Sequence, residues 1–224
     1  MRGAAALGLL LIGLAACGHV PTPSGQAATL NYVALGDSYT IGTSVSPDES
    51  WPSQLVARLP RLRLVANLGR NGYTSTDVRG RELAPLPGLD PGFVTLMIGV
   101  NDVVNEVPDE LYNAEVGSIL DSILIRVPAN RILCIATPDY TVTPQGSAFG
   151  DPAEQSARIA GINTILQDAC EARSIRFVPD IFAISQAAAT DRSLVAGDGL
   201  HPSGKQYRLW VDAIAPVVEM LLGS

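Results

Sequence analysis

Five short apolar runs divide this sequence, and they restrict its fold more than any other feature. Each run is continuous rather than alternating, which is typical of strands that are covered on both faces. Longer segments with apolar residues at helical spacing lie between them. The pattern therefore predicts an α/β fold in which helices cover both sides of a parallel five-stranded sheet. The predicted strands are Tyr32–Leu35, Leu62–Ala66, Phe93–Ile98, Ile132–Ala136 and Ile175–Val178.

Two of the intervening helices have recognisable starts. Asp151-Pro152-Ala153-Glu154 provides an N-cap, a proline at the first helical position and a carboxylate at N3. Ser203-Gly204-Lys205-Gln206 predicts a capping box for the last helix, where Pro216 should cause a bend or an interruption because proline has no N–H donor. Trp51 fits the apolar face of another helix, so we predict a core residue there rather than a platform for a ligand.

The first residues of the chain have the pattern of a signal peptide. Arg2 gives this end a positive charge, residues 4–16 form an unbroken apolar run, and small residues precede Cys17. The run is too short for a spanning helix. It resembles the lipobox of bacterial lipoproteins, which implies that residues 1–16 are removed and that the Cys17 sulfur carries a diacylglyceryl group. Secretion with an unmodified Cys17 is the alternative.

We predict that residues 17–29 form the lipidated cysteine and a flexible tether, because this stretch has no periodicity. The folded domain is predicted over residues 30–224. We expect a monomer that is lipid-anchored to the bacterial cell envelope and faces the periplasm or the exterior. The formal net charge of −7 argues against nucleic acid as a partner, because binding to phosphates needs a basic surface.

The other two cysteines are Cys134, in an apolar run, and Cys170, near the end of a helical pattern. Export permits a disulfide, but a bridge between these positions needs compatible Cα atoms. We predict two small buried residues instead. No cluster of cysteines and histidines has metal-binding spacing, so no metal site is expected.

Ser38 follows the first predicted strand, at the strand end where open α/β sheets usually carry their sites. A serine in such a turn can also be a simple helix cap. The case for a nucleophile grows with Asp198-Gly199-Leu200-His201, which precedes the last helix. A carboxylate three residues before a histidine can accept the Nδ1 proton and leave Nε2 free as a base. The alternative is a surface histidine beside a turn-forming aspartate.

The sequence has two histidines, and because His19 lies in the predicted tether, His201 is the candidate base. Acyl transfer also needs hydrogen-bond donors for an oxyanion. Gly72 follows the second strand, where the absence of a side chain lets a backbone N–H approach a ligand. Asn101 follows the third strand and offers a neutral side-chain amide. Either segment taken alone could be a turn.

Together these segments resemble the SGNH, or GDSL, family of serine hydrolases. The family's sequence blocks occur in order over residues 30–222: Gly36-Asp37-Ser38, Gly72, Gly99-Val100-Asn101-Asp102 and Asp198-Gly199-Leu200-His201. The resemblance implies a flavodoxin-like, three-layer α/β/α sandwich with strand order 2-1-3-4-5. It also implies that Ser38 is the nucleophile, His201 the base and Asp198 its orienting partner. The oxyanion hole would consist of the Ser38 and Gly72 amides and the Asn101 side chain.

The resemblance further implies a serine esterase that acts through an acyl-enzyme on Ser38 without a cofactor. Its substrate would be a short acyl ester, a lysophospholipid or an O-acetylated glycan. Aromatic residues make up only 5% of the chain, which favours small or aliphatic acyl esters over a sugar-stacking groove. We expect the long loop over residues 139–150 to wall the substrate site, with residues 43–51 and 181–195 as further walls.

Two other functions compete with this interpretation. A non-catalytic envelope lipoprotein could bind glycan or lipid on the same fold, although an intact Ser38, Asp198 and His201 argue against it. A metallophosphoesterase would need several histidines as metal ligands, and the predicted domain has one.

Overall fold

The structure is a computed structural model that describes residues 1, 3 and 28–223. The predicted lipidation site Cys17, His19 and nearly all of the predicted signal peptide and tether lie outside the described residues. In the part of the chain that the structure describes, no helix has the length and apolar character needed to cross a membrane.

Five parallel strands form one sheet in the order β2-β1-β3-β4-β5. This confirms the predicted parallel sheet and the strand order that the family resemblance implied. All residues of the third and fourth strands are buried, which explains their continuous apolar character. The bounds agree with the predicted ones to within two residues: Leu30–Gly36 (β1), Leu62–Asn67 (β2), Phe93–Met97 (β3), Ile132–Ile135 (β4) and Arg176–Val178 (β5).

Helices cover both faces of the sheet, as predicted. In chain order, the α-helices of the described residues are Ser38–Ile41 (α1), Trp51–Arg58 (α2), Ser75–Asp77 (α3), Leu86–Leu89 (α4), Val100–Val104 (α5), Asp109–Leu124 (α6), Pro152–Glu171 (α7), Asp180–Gln186 (α8) and Gly204–Leu222 (α9). A π-helical turn, Val78–Glu82, directly follows α3. Helices α2 and α8 pack against α9, and α6 packs against α7. Crossovers between parallel strands are right-handed as a rule, and with this strand order the rule puts the two groups on opposite faces, which gives a three-layer α/β/α sandwich.

The two helix starts that the sequence predicts are present, although the second cap differs in detail. Asp151 Oδ1 accepts hydrogen bonds from two backbone amides and caps α7. Ser203 Oγ accepts from the Gln206 amide, but the Ser203 amide donates to the Leu194 carbonyl, so the predicted capping box is only half formed. The sequence predicts a bend or an interruption at Pro216, and helix α9 continues through this residue without the interruption. Pro216 lies on the exposed face, where water can satisfy the carbonyl one turn earlier.

Cys134 and Cys170 form a disulfide, so the prediction of two unpaired buried cysteines was wrong. Helix α7 runs back along the sheet after β4, and this return brings its last turn beside the strand. The Cα atoms of the two cysteines are 6.8 Å apart, and both side chains are buried. This distance cannot be derived from the separation of the two cysteines in the sequence, because it depends on how α7 packs against the sheet.

The strand order reverses between β1 and β3, which lie side by side at the centre of the sheet. In open α/β sheets, ligands bind beyond the carboxyl ends of the strands at such a switch point. Ser38 follows β1 and Asn101 follows β3. Trp51, in contrast, is fully buried in the core, as predicted. The fold therefore places two of the candidate site residues at one edge of the sheet.

Candidate active site

Ser38 is the first residue of the short helix α1, directly after the central strand β1. Asp37 caps this helix, since its Oδ1 accepts a hydrogen bond from the Tyr39 amide at 2.9 Å. Gly36 has φ +154°, and a Cβ there would lie 2.2 Å from the Met97 carbonyl oxygen. A glycine is therefore required at this turn. As the first helical residue, Ser38 has an amide N–H without an intrahelical acceptor.

His201 and Asp198 form a closely hydrogen-bonded pair in the loop before α9. His201 Nδ1 lies 2.6 Å from Asp198 Oδ2. Asp198 Oδ1 also accepts from the Leu200 and His201 amides at 2.9 and 3.0 Å. Partial burial acts to raise the pKa of Asp198, but hydrogen bonds from Ser44, Leu200 and His201 outweigh it and hold that pKa well below its usual range. Asp198 is therefore a carboxylate that orients the imidazole.

Gly72 and Asn101 occupy the other side of the cleft. Gly72 has φ +77°, and a Cβ there would meet no atom within 4 Å, so this turn is open towards the pocket. Asn101 Nδ2 donates to the Tyr73 carbonyl at 2.9 Å, which fixes the side-chain amide. No acceptor among the described residues takes the Gly72 amide hydrogen. Both groups can therefore serve as donors to a ligand.

A buried aspartate holds the two loops of this side together. Asp102, the residue after Asn101, accepts hydrogen bonds from the amide and the hydroxyl of Ser75 at the start of α3. Burial raises the pKa of Asp102 to about 6, and the bonds from Ser75 act in the opposite direction. The segment that carries Asn101 is thereby tied to the segment that follows Gly72.

Two further carboxyl groups lie near the turn that carries Ser38. Glu82 is buried, and its Oε2 accepts a hydrogen bond from the Gly36 amide at 2.9 Å. Burial raises the pKa of Glu82 to about 9 and that of Asp37 to about 7. Glu82 is consequently a neutral carboxylic acid at neutral pH. Its contact with Gly36 supports the turn that presents Ser38.

One pocket joins the candidate residues. It has a volume of about 150 Å³ and is lined by Ser38, Tyr39, Asn71, Gly72, Val100, Asn101, Val104, Tyr140, Phe149, Leu200 and His201. The five predicted site residues thus meet at one place, because Asp198 lies behind His201 and the other four line the pocket. No hydrogen bond between the described atoms joins Ser38 Oγ to His201, a contact that often tightens only when substrate binds.

The walls agree with the sequence prediction in part. Tyr140 and Phe149 come from the predicted wall over residues 139–150, and their rings pack edge to face at 5.6 Å. Neither residues 43–51 nor residues 181–195, all of them described, contribute to the lining. Val104 was missed, although its position one helical turn after Asn101 could have indicated it.

Ser44 was missed as well. Its Oγ donates to Asp198 Oδ2 at 2.6 Å across 154 positions of sequence. No sequence signal indicates this contact.

Among the described residues, no group of three or more His, Cys, Asp or Glu side chains is arranged to hold a metal ion.

Comparison with known proteins identifies the family of this chain. The family described as "GDSL-like Lipase/Acylhydrolase family" matches residues 34–209, a range that contains all five candidate residues. A GDSL lipase of Mycobacterium tuberculosis, Rv0518, is 28% identical to this chain. The alignment is 231 residues long and covers 95% of this chain and 92% of the relative.

Solved structures share the fold at lower identity. The crystal structure of TesA has a TM-score of 0.67 and 17% identity, covering 85% of this chain and 99% of its own. Axe2, an acetylxylan esterase from Geobacillus stearothermophilus, has a TM-score of 0.65 and 18% identity, covering 88% and 95% of the two chains. With the family match over most of its length, the chain belongs to the GDSL-like lipase/acylhydrolase family and is a carboxylic ester hydrolase.

Proposed function

We propose that this protein hydrolyses esters of short carboxylic acids through an acyl-enzyme on Ser38. The observation that carries the proposal is the meeting of Ser38, the Asp198–His201 pair and the Gly72 and Asn101 donors at one pocket. This set supplies a nucleophile, a base, an orienting carboxylate and oxyanion donors, which are the groups that acyl transfer requires.

In the proposed first step, Ser38 Oγ forms a bond to the ester carbonyl carbon while its proton moves to His201 Nε2. The carbonyl electrons move onto oxygen, where the amides of Ser38 and Gly72 and the side chain of Asn101 stabilise the negative charge. In other hydrolases, one such donor lowers the free energy of the transition state by about 3 to 4 kcal/mol. The tetrahedral intermediate then collapses, the bond to the alcohol oxygen breaks, and His201 protonates that oxygen.

Water completes the cycle. His201 removes a proton from a water molecule, whose oxygen attacks the acyl carbon. The new tetrahedral intermediate then collapses: the bond between the acyl carbon and Ser38 Oγ breaks, His201 returns its proton to Oγ, and the acid leaves. Asp198 remains ionised throughout, because its hydrogen bonds stabilise the carboxylate.

The pocket favours a small acyl group. Its volume of about 150 Å³ is below the roughly 300 Å³ at which drug-sized ligand sites begin. Apolar cavities of about this size take a molecule such as benzene. Val100, Val104 and Leu200 supply aliphatic lining. We therefore propose acetyl to hexanoyl esters as the preferred class, and the fold shared with an acetylxylan esterase makes O-acetylated glycans the first natural substrates to test.

The decisive experiment compares wild-type protein with Ser38→Ala and His201→Ala on p-nitrophenyl acetate. Both variants should lose nearly all turnover while circular dichroism shows a folded protein. A fluorophosphonate probe should label wild type and leave Ser38→Ala unlabelled. Full activity or labelling without Ser38 would refute the acyl-enzyme. An unlabelled, inactive wild type would favour a binding protein on this fold.

We also propose that the protein is exported and anchored through a lipid on Cys17. The lipobox-like sequence before Cys17 supports this, and so does the Cys134–Cys170 disulfide, because disulfides persist in oxidising compartments outside the cytosol. Cys17→Ala should move the protein from the detergent phase to the aqueous phase in Triton X-114 partitioning. Wild-type protein in the aqueous phase would contradict the anchor.

A further inference from the structure

Ser44 lies six positions after the candidate nucleophile in a backbone conformation that is unusual for serine. Its φ is +67°, in the left-handed region, where non-glycine residues are uncommon and often mark functional sites. The side chain is exposed and does not line the pocket. A contact with the substrate therefore does not explain this conformation.

The Ser44 hydroxyl completes the hydrogen bonding of the orienting carboxylate. Ser44 Oγ donates to Asp198 Oδ2 at 2.6 Å, and His201 Nδ1 lies 2.6 Å from the same oxygen. Asp198 Oδ1 takes two backbone amides. Each carboxylate oxygen thus has two partners, so the four acceptor sites of the group are filled.

The same bond joins the two loops that must cooperate. The Ser38 carbonyl accepts the amides of Gly42 and Thr43, each at 3.1 Å, which ties the nucleophile to the turn that carries Ser44. Ser44 then reaches the histidine loop through Asp198. The bond therefore connects Ser38 to the base by a short chain of fixed contacts.

The Asp198–His201 pair is partly exposed to solvent, so a protein contact that holds Asp198 in place matters. The Asp198 side chain is 30% exposed and that of His201 is 12% exposed. Water can therefore compete for Asp198 Oδ2 and change the orientation of the carboxylate. Ser44 provides a donor to this oxygen at 2.6 Å that is attached to the protein backbone.

We infer that Ser44 is a positioning residue, whose hydroxyl holds Asp198 so that His201 stays aligned with Ser38. This inference rests on the proposed function, because it assigns Ser44 a part in the base that activates the nucleophile. Ser44 touches neither the substrate pocket nor the reacting atoms, and it acts through Asp198.

The hydrogen bond has a defined electrostatic consequence. It withdraws charge from Asp198 Oδ2, and its loss makes the carboxylate a stronger partner for a protonated imidazole. Without the Ser44 hydroxyl, the acid limb of kcat/KM against pH should therefore lie at a higher pH.

The other titratable groups around the pair do not obscure this readout. The Tyr39 ring lies 5.1 Å from that of His201, and the charge of Asp198 helps to raise the pKa of Tyr207. Burial raises the pKa of both tyrosines well above the usual value, so both stay neutral. Asp37, which lies behind Tyr39 and has its pKa raised by burial to about 7, is unchanged in the variants and cancels in the comparison with wild type.

The test uses two replacements of the same residue. Ser44→Ala removes the hydroxyl and retains the unfavourable φ, whereas Ser44→Gly removes the hydroxyl and relieves it. Ser46→Ala is the control, because the Ser46 hydroxyl binds Glu49 in the same exposed segment. All three are compared with wild type on p-nitrophenyl acetate from about pH 5 to about pH 9, with melting curves to verify folding.

Both Ser44 variants should lose about tenfold in kcat with little change in KM. The acid limb of kcat/KM should move up by about 0.5 pH unit. Ser46→Ala should behave as wild type. Wild-type kinetics in Ser44→Gly alone would show that the backbone conformation matters rather than the hydroxyl, and would overturn the inference. A lower kcat with an unmoved acid limb would also overturn it, since a merely structural role predicts that result.

The assay separates this inference from the proposed function. A wild-type protein that hydrolyses the ester and loses activity in Ser38→Ala upholds the function, whatever the Ser44 variants do. Wild-type behaviour of both Ser44 variants in that setting would refute the positioning role alone. A wild type that cleaves no ester would refute both.

Discussion

Asn101 Nδ2 donates a hydrogen bond to the Tyr73 carbonyl oxygen at 2.9 Å. Tyr73 is the residue after Gly72, so one bond couples two candidate oxyanion donors that come from separate loops. A side-chain amide has two N–H hydrogens. The first fixes the orientation of Asn101, and the second remains free for the oxyanion.

Replacement of Asn101 by alanine should lower kcat by about 10² to 10³, because it removes a donor that acts when charge develops on the carbonyl oxygen. KM should change little. Steady-state kinetics on p-nitrophenyl acetate measure both constants. Asn105→Ala is the matched control, since Asn105 is exposed at the end of the same helix. An unchanged kcat in Asn101→Ala would remove this side chain from the oxyanion hole.

Phe149 should limit the length of the acyl chain. Its side chain is 39% exposed, lines the pocket and packs edge to face on Tyr140. Phe149→Ala opens that wall, so the ratio of kcat/KM for p-nitrophenyl octanoate to that for the acetate should rise about tenfold. Leu209→Ala, on the exposed face of α9, should leave the ratio at its wild-type value. If Phe149→Ala had the same octanoate-to-acetate ratio of kcat/KM as wild type, the acyl chain would not bind against Phe149.

Stability should fall as pH rises, because burial raises the pKa of Glu82 from 4.5 to about 9. Between these values the native state retains a proton that the unfolded chain releases, so stability decreases with pH through this window. Glu82→Gln cannot ionise, and its amide oxygen can still accept from the Gly36 amide. The free energy of unfolding of the variant, relative to that of wild type, should therefore rise by at least about 1 kcal/mol between about pH 4 and about pH 8.

Urea unfolding curves at several pH values measure this difference. Glu110→Gln changes an exposed carboxylate on α6 and serves as the control, which should follow the wild-type curve. Part of the slope below about pH 7 should persist in Glu82→Gln, since burial also raises the pKa of Asp37 to about 7 and that of Asp102 to about 6. Parallel curves for Glu82→Gln and wild type would mean that Glu82 is ionised in the native protein.

Loss of the disulfide should destabilise the domain without abolishing catalysis. The bridge joins residues 36 positions apart, a loop for which chain entropy predicts about 3 to 4 kcal/mol. The double variant Cys134→Ala/Cys170→Ala should therefore melt about 10 °C below wild type. Reductant should lower the melting temperature of wild type and leave that of the double variant where it is. Equal melting temperatures for the two proteins would contradict the prediction.

The sheet could be predicted because its strands carry their own signal. Strands such as β3 are covered on both faces and must be apolar at every position, which the sequence displays directly. Ser38 and Asn101 could be placed for a related reason, since each directly follows such a run and parallel strands end at one edge. His201 was found by elimination, because the predicted domain has no other imidazole.

The features that the sequence did not indicate depend on packing. The Cys134–Cys170 bridge requires the position of α7 against the sheet, and the Ser44 contact requires a left-handed φ together with a partner 154 positions away. Glu82 lies in a polar stretch that is typical of a surface, yet its side chain is 3% exposed beneath the nucleophile turn. Local patterns do not specify these long-range juxtapositions.

The direction of β1 has a consequence for how substrate arrives. The described domain begins at the amino end of this strand, near Leu30, whereas Ser38 follows its carboxyl end. The seven residues of the strand, which rises about 3.3 Å per residue, separate its two ends by about 20 Å. For a chain tethered by its N-terminal side, the attachment point and the mouth of the cleft lie at opposite poles of the sheet. With the proposed anchor, a flexible tether would let the domain present this mouth to esters dispersed in the aqueous phase.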